Sequence, residues 1–258
     1  MTTVKDILQF IEQLAPRRMK AQWDNVGLLC GSESQPVKKI LVALDPFEHV
    51  CREAAEIGAD LLVTHHPLIF VAPSAITDDS SVGRSVMTLI RNDISAINAH
   101  TNLDCAPGGV NDVLAAKLGL THIHTLLYEG SDFGLLRAGT VKTQSLTDFA
   151  VTVKSALSCQ ALRYVDSGRP VSKVAVGGGA CGDGVREAYD AGCDTFVTAD
   201  VKYNQFWDAK ELGINLIDAG HFHTENPVVE VLARKLQAEF PEIAVEVSKT
   251  HNDCVKFF

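Results

Sequence analysis

The sequence contains no Cys-x-x-Cys pair, no apolar run of membrane-spanning length and no excess of basic residues. Its seven cysteines, at 30, 51, 105, 159, 181, 193 and 254, are scattered and odd in number, which argues against a disulfide scaffold and for a reducing, cytoplasmic setting. A membrane-spanning helix needs roughly 20 consecutive apolar residues, so none is expected. Residues 1–20 carry charges throughout and read as an amphipathic helix, not as the apolar core of a signal peptide. Lys plus Arg number 23 against 32 Asp plus Glu, a formal charge of −9, which disfavours nucleic acid as the main ligand. What remains is 258 residues at 46% hydrophobic and 21% charged, the composition of a globular chain with one large domain or two modest ones.

Periodicity along the chain alternates between strand and helix. Apolar residues at 4, 7, 8, 11 and 14 make a helical stripe over Val4–Leu14. A strand at 39–45, a helix at 46–57 and a strand at 60–64 form a βαβ unit, which implies a parallel sheet. A helix at 84–91 and a strand at 94–99 extend it, and a helix follows at 110–118. Strands at 123–129 and 134–141 flank a Gly-Ser-Asp-Phe-Gly turn, with His122 and His124 read as surface residues. The rest reads as a helix at 146–157, strands at 161–165 and 173–176, a helix at 185–191, a strand at Thr195–Thr198 and a helix at 204–212. A strand at 215–217, a helix at 227–240 and a strand at 244–248 complete an α/β protein.

The stretch LLVTHHPLIF at 61–70 runs from strand residues into two adjacent histidines and a proline. Within a strand His65 and His66 would point to opposite faces. At a strand end broken by Pro67 they can converge on one ion. Taken alone, the pair reads as a strand cap and a solvent-exposed imidazole.

A shift of 134 positions lays EAAEIGADLLVTH at 53–65 over EAYDAGCDTFVTA at 187–199 and Lys39 over Lys173. With 13 residues fewer in the second copy, His100-x3-Asp104 meets His221-x3-Glu225, each just beyond a strand. The chain therefore reads as two similar α/β halves. Parallel sheets place ligands beyond the carboxyl ends of their strands, where His65, His66, His100, Asp104, His221 and Glu225 all fall. Mixed imidazole and carboxylate donors suit zinc, manganese, iron or nickel. Two facing halves could hold a pair of such ions with a carboxylate such as Glu225 bridging them, an arrangement that activates water for hydrolysis. Each acid also has a plainer reading: Glu225 opening the helix at 227–240, and Asp104 ordering the Pro-Gly-Gly turn.

WDNVGL (23–28), GADLLVTHHP (58–67), NAHTNLD (98–104), GGGA (177–180) and DAGHFHTE (218–225) together resemble the Nif-three-like family, whose bacterial members are often labelled GTP cyclohydrolase 1 type 2 homologs. The resemblance runs from the first helix to the last strand. It implies two similar, interleaved, three-layer α/β domains, here 1–105 plus 226–258 and 106–225, with a dinuclear metal site between them and a homohexameric ring. It also implies metal ligands at His65, His66, Asp104, His221 and Glu225, with Glu225 bridging and His100 nearby, supporting the ligands or shuttling a proton. The segment between the halves is short, so the mid-chain insertion of longer members is absent. Asn204 stands where many members have histidine, and His223 adds an imidazole that reads as pointing away.

Gly177-x-Gly179-x-x-Gly182 is a literal dinucleotide fingerprint, with Asp200 near the place of a ribose-binding acid. This supports an alternative, a nicotinamide-dependent oxidoreductase, and a nucleotide phosphate could rest on the loop's N–H groups. Against it, the motif lies late in the chain and its helix is short. The reading drawn from the sequence is a metal-dependent hydrolase of a nucleotide or related small molecule, holding two divalent ions per chain, with catalytic roles for His100 and Glu225. A non-catalytic metal-binding scaffold uses the same ligands.

Overall fold

The computed structural model describes residues 1–128 and 131–258. In chain order the elements are α1 (Val4–Leu14), β1 (Gly27–Cys30), β2 (Lys39–Ala43), α2 (Glu48–Glu56), β3 (Leu61–Thr64), α3 (Ser81–Arg91), β4 (Ser95–Asn98), α4 (Thr101–Cys105) and α5 (Val110–Lys117). Then follow β5 (Thr121–Tyr128), β6 (Ser131–Gln144), α6 (Leu146–Ala156), β7 (Arg163–Val165), β8 (Val171–Val176), α7 (Val185–Asp190), β9 (Thr195–Thr198), α8 (Tyr203–Leu212), β10 (Asn215–Asp218), α9 (His221–Glu225), α10 (Pro227–Glu239) and β11 (Ala244–Val247). The strand expected at 123–129 and the turn expected at 130–134 reach into residues 129 and 130, outside the described ones.

The chain divides into two interleaved units, Met1–Ala106 with Val228–Asn252, and Pro107–Pro227 with Asp253–Phe258. The last six residues thus group with the second unit, not with the first as the sequence suggested. The first unit has a five-stranded sheet in the order β1-β4-β3-β2-β11. Strands β11, β2, β3 and β4 run parallel, whereas β1 adds antiparallel to β4. The sheet is therefore mixed. Residues 27–30 carry no clear strand signal in the sequence, because four residues leading out of a turn show too little alternation. Leu41, Ala43, Leu62 and Ala96 pack on one face against Val50, Cys51 and Ala54 of α2 and Val86 and Leu89 of α3. The residues alternating with them, Ile40, Val42, Leu61, Val63 and Ile97, are also buried, as a sheet covered on both faces requires. Helix α1 begins at a capping box in which Thr3 and Asp6 exchange hydrogen bonds.

The second unit has a six-stranded sheet in the order β5-β6-β8-β9-β10-β7. Only β8, β9 and β10 run parallel; β5, β6 and β7 are antiparallel to their neighbours. Phe149 and Val153 of α6 and Leu114 of α5 cover one face of this sheet. Val185 and Ala188 of α7 and Ala209 of α8 cover the other, against Phe196 and Leu216. His122 and His124 lie exposed on edge strand β5, where the register slips between Thr121 and His124.

The 134-residue repeat is physical. In the first unit the Asp60 carboxylate accepts hydrogen bonds from Lys38 N (2.7 Å) and Lys39 N (2.9 Å), and Asp60 N donates to Lys39 O (2.9 Å). In the second, Asp194 accepts from Ser172 N (2.9 Å) and Lys173 N (2.8 Å), and Asp194 N donates to Lys173 O (2.9 Å). Gly58 and Gly192 close the preceding helices in the left-handed conformation, at φ 65° and 76°, where a side chain would be strained. The matched Glu-x4-Gly-x-Asp spacing is thus a helix end and the brace that starts the next parallel strand.

Candidate metal centre

Strand β3 delivers its histidines by ending. Ala99 N donates to Thr64 O (3.1 Å) on one side and His66 N to Leu44 O (2.9 Å) on the other, and Thr64 Oγ1 donates back to His66 O (2.7 Å). His65 then lies almost wholly buried, with Nδ1 2.9 Å from Ala99 O. A carbonyl can only accept, so Nδ1 carries the proton and the neutral ring's lone pair sits on Nε2. That nitrogen faces Asp104 Oδ1 at 3.6 Å. A lone pair facing a carboxylate is favourable only with a cation at hand, either a proton on the ring or a metal ion held by both.

The same device recurs around it. His66 Nδ1 donates to Asp45 Oδ1 (2.7 Å), whose other oxygen accepts from His251 Nε2 (2.8 Å). Burial pushes the Asp45 carboxyl up, but its two histidine hydrogen bonds outweigh this and hold it below the usual carboxylate range. His100, the N-cap of α4, donates from Nδ1 to Asp24 Oδ1 (2.8 Å), and Thr101 N donates to the same carboxylate (3.1 Å). Burial raises Asp24, yet the bonds from His100 and Thr101 prevail and leave it at about 2. The rings of His65, His66 and His100 lie 4.8–5.4 Å apart, and each can offer a nitrogen within 4.8 Å of the others. In all three, an oxygen acceptor at Nδ1 fixes the ring and places the neutral imidazole's lone pair on Nε2, an arrangement also seen in metal-binding histidines.

In the second unit, Gly220 at φ 83° starts α9, a five-residue helix that puts His221 and Glu225 four residues apart on one face. His221 Nδ1 donates to Asp200 Oδ2 (2.7 Å), and its Nε2 lies 3.0 Å from Glu225 Oε2. Again an imidazole lone pair faces a carboxylate, this one buried. Glu225 ends α9 and does not open α10, which removes its plainer reading as a helix N-terminal acid. Asp200 is the acceptor that orients His221, not a ribose-binding acid.

The glycine loop has a different role from the one its spacing suggests. Gly177 N donates to Val197 O (3.0 Å), Gly178 N to Asn111 Oδ1 (2.7 Å) and Gly179 N to Thr224 Oγ1 (3.0 Å). These N–H groups are committed within the fold, so they do not cradle a phosphate. A Cβ on Gly179 would run into Glu225 Oε1 and lie 3.1 Å from His221 Nε2, and Gly179 takes φ 65°. The loop is glycine so that Glu225 and His221 can lie against bare backbone.

The structure thus gathers His65, His66, His100 and Asp104 in the first unit and His221 and Glu225 in the second. His223 turns to Leu157 O (3.2 Å) and Asp253 Oδ2 (3.2 Å), and Asn204 is exposed on α8. Missing from the sequence reading were Asp24, Asp45 and His251, the groups that orient His100 and His66. Asp24 sits in WDNVGL and Asp45 ends KILVALD, but nothing in the order of residues says that a carboxylate faces an imidazole 76 or 21 positions away.

A family model described as Duf34/NIF3 (NGG1p interacting factor 3) matches residues 2–254. A GTP cyclohydrolase 1 type 2 homolog from Clostridium perfringens is 38% identical over 98% of this chain and 99% of its own. The one from Clostridium acetobutylicum is 35% identical, with 98% of each chain covered. The alignment with the Bacillus subtilis homolog, 27% identical, runs over 341 positions, more than the 258 residues here, so that relative is longer. Among solved structures, a hypothetical protein of Staphylococcus aureus superposes with a TM-score of 0.93 at 30% identity, over 99% of both chains. Reduced HcgD from Methanocaldococcus jannaschii does so at 0.83 and 29% identity, over 96% of this chain and 98% of its own.

Proposed function

This chain belongs to the Duf34/NIF3 family, and from that premise we propose that it is a metal-dependent hydrolase of a nucleotide or related small molecule. In this reading His65, His66, Asp104, His221 and Glu225 would hold two divalent ions per chain. The observation that carries it is chemical: His65 Nε2 faces Asp104 Oδ1 and His221 Nε2 faces Glu225 Oε2, each ring being held through Nδ1 by an oxygen. Two bound ions would supply an activated water and charge neutralisation for a hydrolytic displacement. The chain's own residues orient and buffer that chemistry. Asp45 and Asp200 hold His66 and His221 in the ligating tautomer. His100, anchored by a carboxylate held near pKa 2, is placed to accept or return a proton at Nε2. The name carried by the relatives favours a purine nucleotide as substrate.

Elemental analysis of metal-loaded protein is expected to give close to two ions per chain, with His65→Ala and His221→Ala each losing metal. Turnover is then measured over a panel of nucleotides with manganese, zinc, iron and nickel. A chain that holds two ions yet is inert across the panel is a metal-binding scaffold, and metal content that ignores both substitutions removes the site. The same reading makes the chain one protomer of a cytoplasmic homohexameric ring, which sedimentation equilibrium tests by mass.

A further inference from the structure

Beside the histidine cluster of the first unit stands a group of rings that the metal reading leaves unused. Trp23 is 64% exposed and Phe70 52% exposed. Their ring centroids are 5.7 Å apart at 66°, and each lies 6.2 Å from the His100 ring, at 70° and 81°. The three rings therefore meet edge to face, an arrangement that aromatic quadrupoles favour.

The mounting is rigid although the rings are exposed. Asp24, next to Trp23, is the buried carboxylate that accepts from His100 Nδ1 and Thr101 N. Its carbonyl accepts from Lys20 Nζ (2.7 Å). Asn25 Nδ2 donates to Ile69 O (2.6 Å), tying the Trp23 loop to the loop that carries Phe70, and Asn98 Nδ2 donates to Asn25 O (3.0 Å). One short stretch, 23–25, thus fixes Trp23, Phe70 and His100 relative to one another. Two adjoining exposed aromatic rings beside a polar cluster make an apolar surface that a ligand can cover.

We propose that Trp23 and Phe70 form a stacking platform for a planar aromatic heterocycle, holding its edge against His100 and the histidine cluster. The platform names the substrate class of the proposed hydrolase and rests on that reading for its purpose, while the binding it predicts stands apart from turnover. A bare sugar or a phosphate gains nothing comparable from two ring faces, whereas a nucleobase stacks on them whatever its edge.

The test uses full-length, metal-loaded protein. Of the two tryptophans, Trp207 lies on α8, so Trp207→Phe leaves Trp23 as the reporter. Guanosine and adenosine 5′-monophosphate are expected to quench its fluorescence saturably, and ribose 5-phosphate not to. By calorimetry with tryptophan 207 intact, Trp23→Ala and Phe70→Ala should each weaken nucleotide binding by roughly fivefold or more, with Trp23→Phe restoring most of it and metal content unchanged. Equal responses to ribose 5-phosphate and the nucleotides, or undiminished binding by Trp23→Ala at full metal content, overturn the platform. Turnover whose KM ignores Trp23→Ala removes the platform and keeps the hydrolase; quenching without turnover does the reverse.

Discussion

The two units share a brace and differ in what they hang on it. Asp60 and Asp194 tie the start of a strand in the same way, and Thr64 and Thr198 end the next strand 134 residues apart, each accepting from Ala99 N or Ala219 N. Beyond that point the first unit continues His65-His66 and the second Ala199-Asp200. The first unit thus offers an imidazole, His66, where its counterpart Asp200 orients one, and it recruits Asp45 from another strand end to hold that ring. The H-x3-acid motifs differ too. Thr64 pairs with Asn98 and Thr198 with Asp218, an offset one residue short of that between His100 and His221. Gly220 is the extra residue, and it lets α9 place His221 and Glu225 on one helical face while His100 stays a cap. Equal scaffolds thus carry unequal chemistry because side chains just past a strand end are free of the sheet's packing demands.

The sharpest way to break this contrast is Gly179→Ala. Its Cβ would meet Glu225 and His221 in a backbone conformation that resists a side chain. Loss of one metal equivalent is expected, with about 1–3 kcal/mol of stability, measured by elemental analysis and urea denaturation. An alanine that leaves metal content intact would show that the glycine is not there for the second unit's donors.

Next come the orienting carboxylates. Asp45→Asn should weaken metal binding about 10–100-fold, read by competition with a chelating dye. Asp200→Asn should weaken it less, because the Asp200 carboxylate is half exposed whereas Asp45 lies between His66 and His251. The opposite order would mean that the second unit's imidazole needs its brace more.

The shared brace predicts a smaller, paired effect. Asp194→Asn should cost about 1–3 kcal/mol and Asp60→Asn roughly half as much, by urea midpoint. Asp194 is the more buried and also accepts from Ser172 Oγ (2.7 Å) and Thr195 Oγ1 (2.8 Å). Equal losses would show that the extra bonds add nothing.

The smallest effect concerns pH. Burial pushes Glu53 up, but bonds from Lys249 N, Ser248 Oγ and Thr250 outweigh it and lower its carboxyl. A carboxyl lowered on folding contributes stability above its unfolded value, about 4.3, and loses it as pH falls through that value to the folded one. Glu53→Gln should therefore be less stable than the parent at pH 7, with the gap closing on acidification below pH ~4.

Much of this molecule was legible from residue order alone. Local periodicity set Val4–Leu14 and Thr195–Thr198 to the residue, because helix and strand spacing are properties of neighbours in sequence. The repeat was legible because a helix end and a strand brace need the same residue types at the same spacing. That His65, His66, His100, Asp104, His221 and Glu225 lie past strand ends also followed from order. Only the tertiary structure decided which carboxylate faces which imidazole, that the glycine loop clears room for Glu225 and does not bind phosphate, and that β1 in the first sheet and β5, β6 and β7 in the second add antiparallel pairings to a parallel core. Those facts depend on contacts between residues tens of positions apart, which the order of residues leaves open until the chain closes on itself.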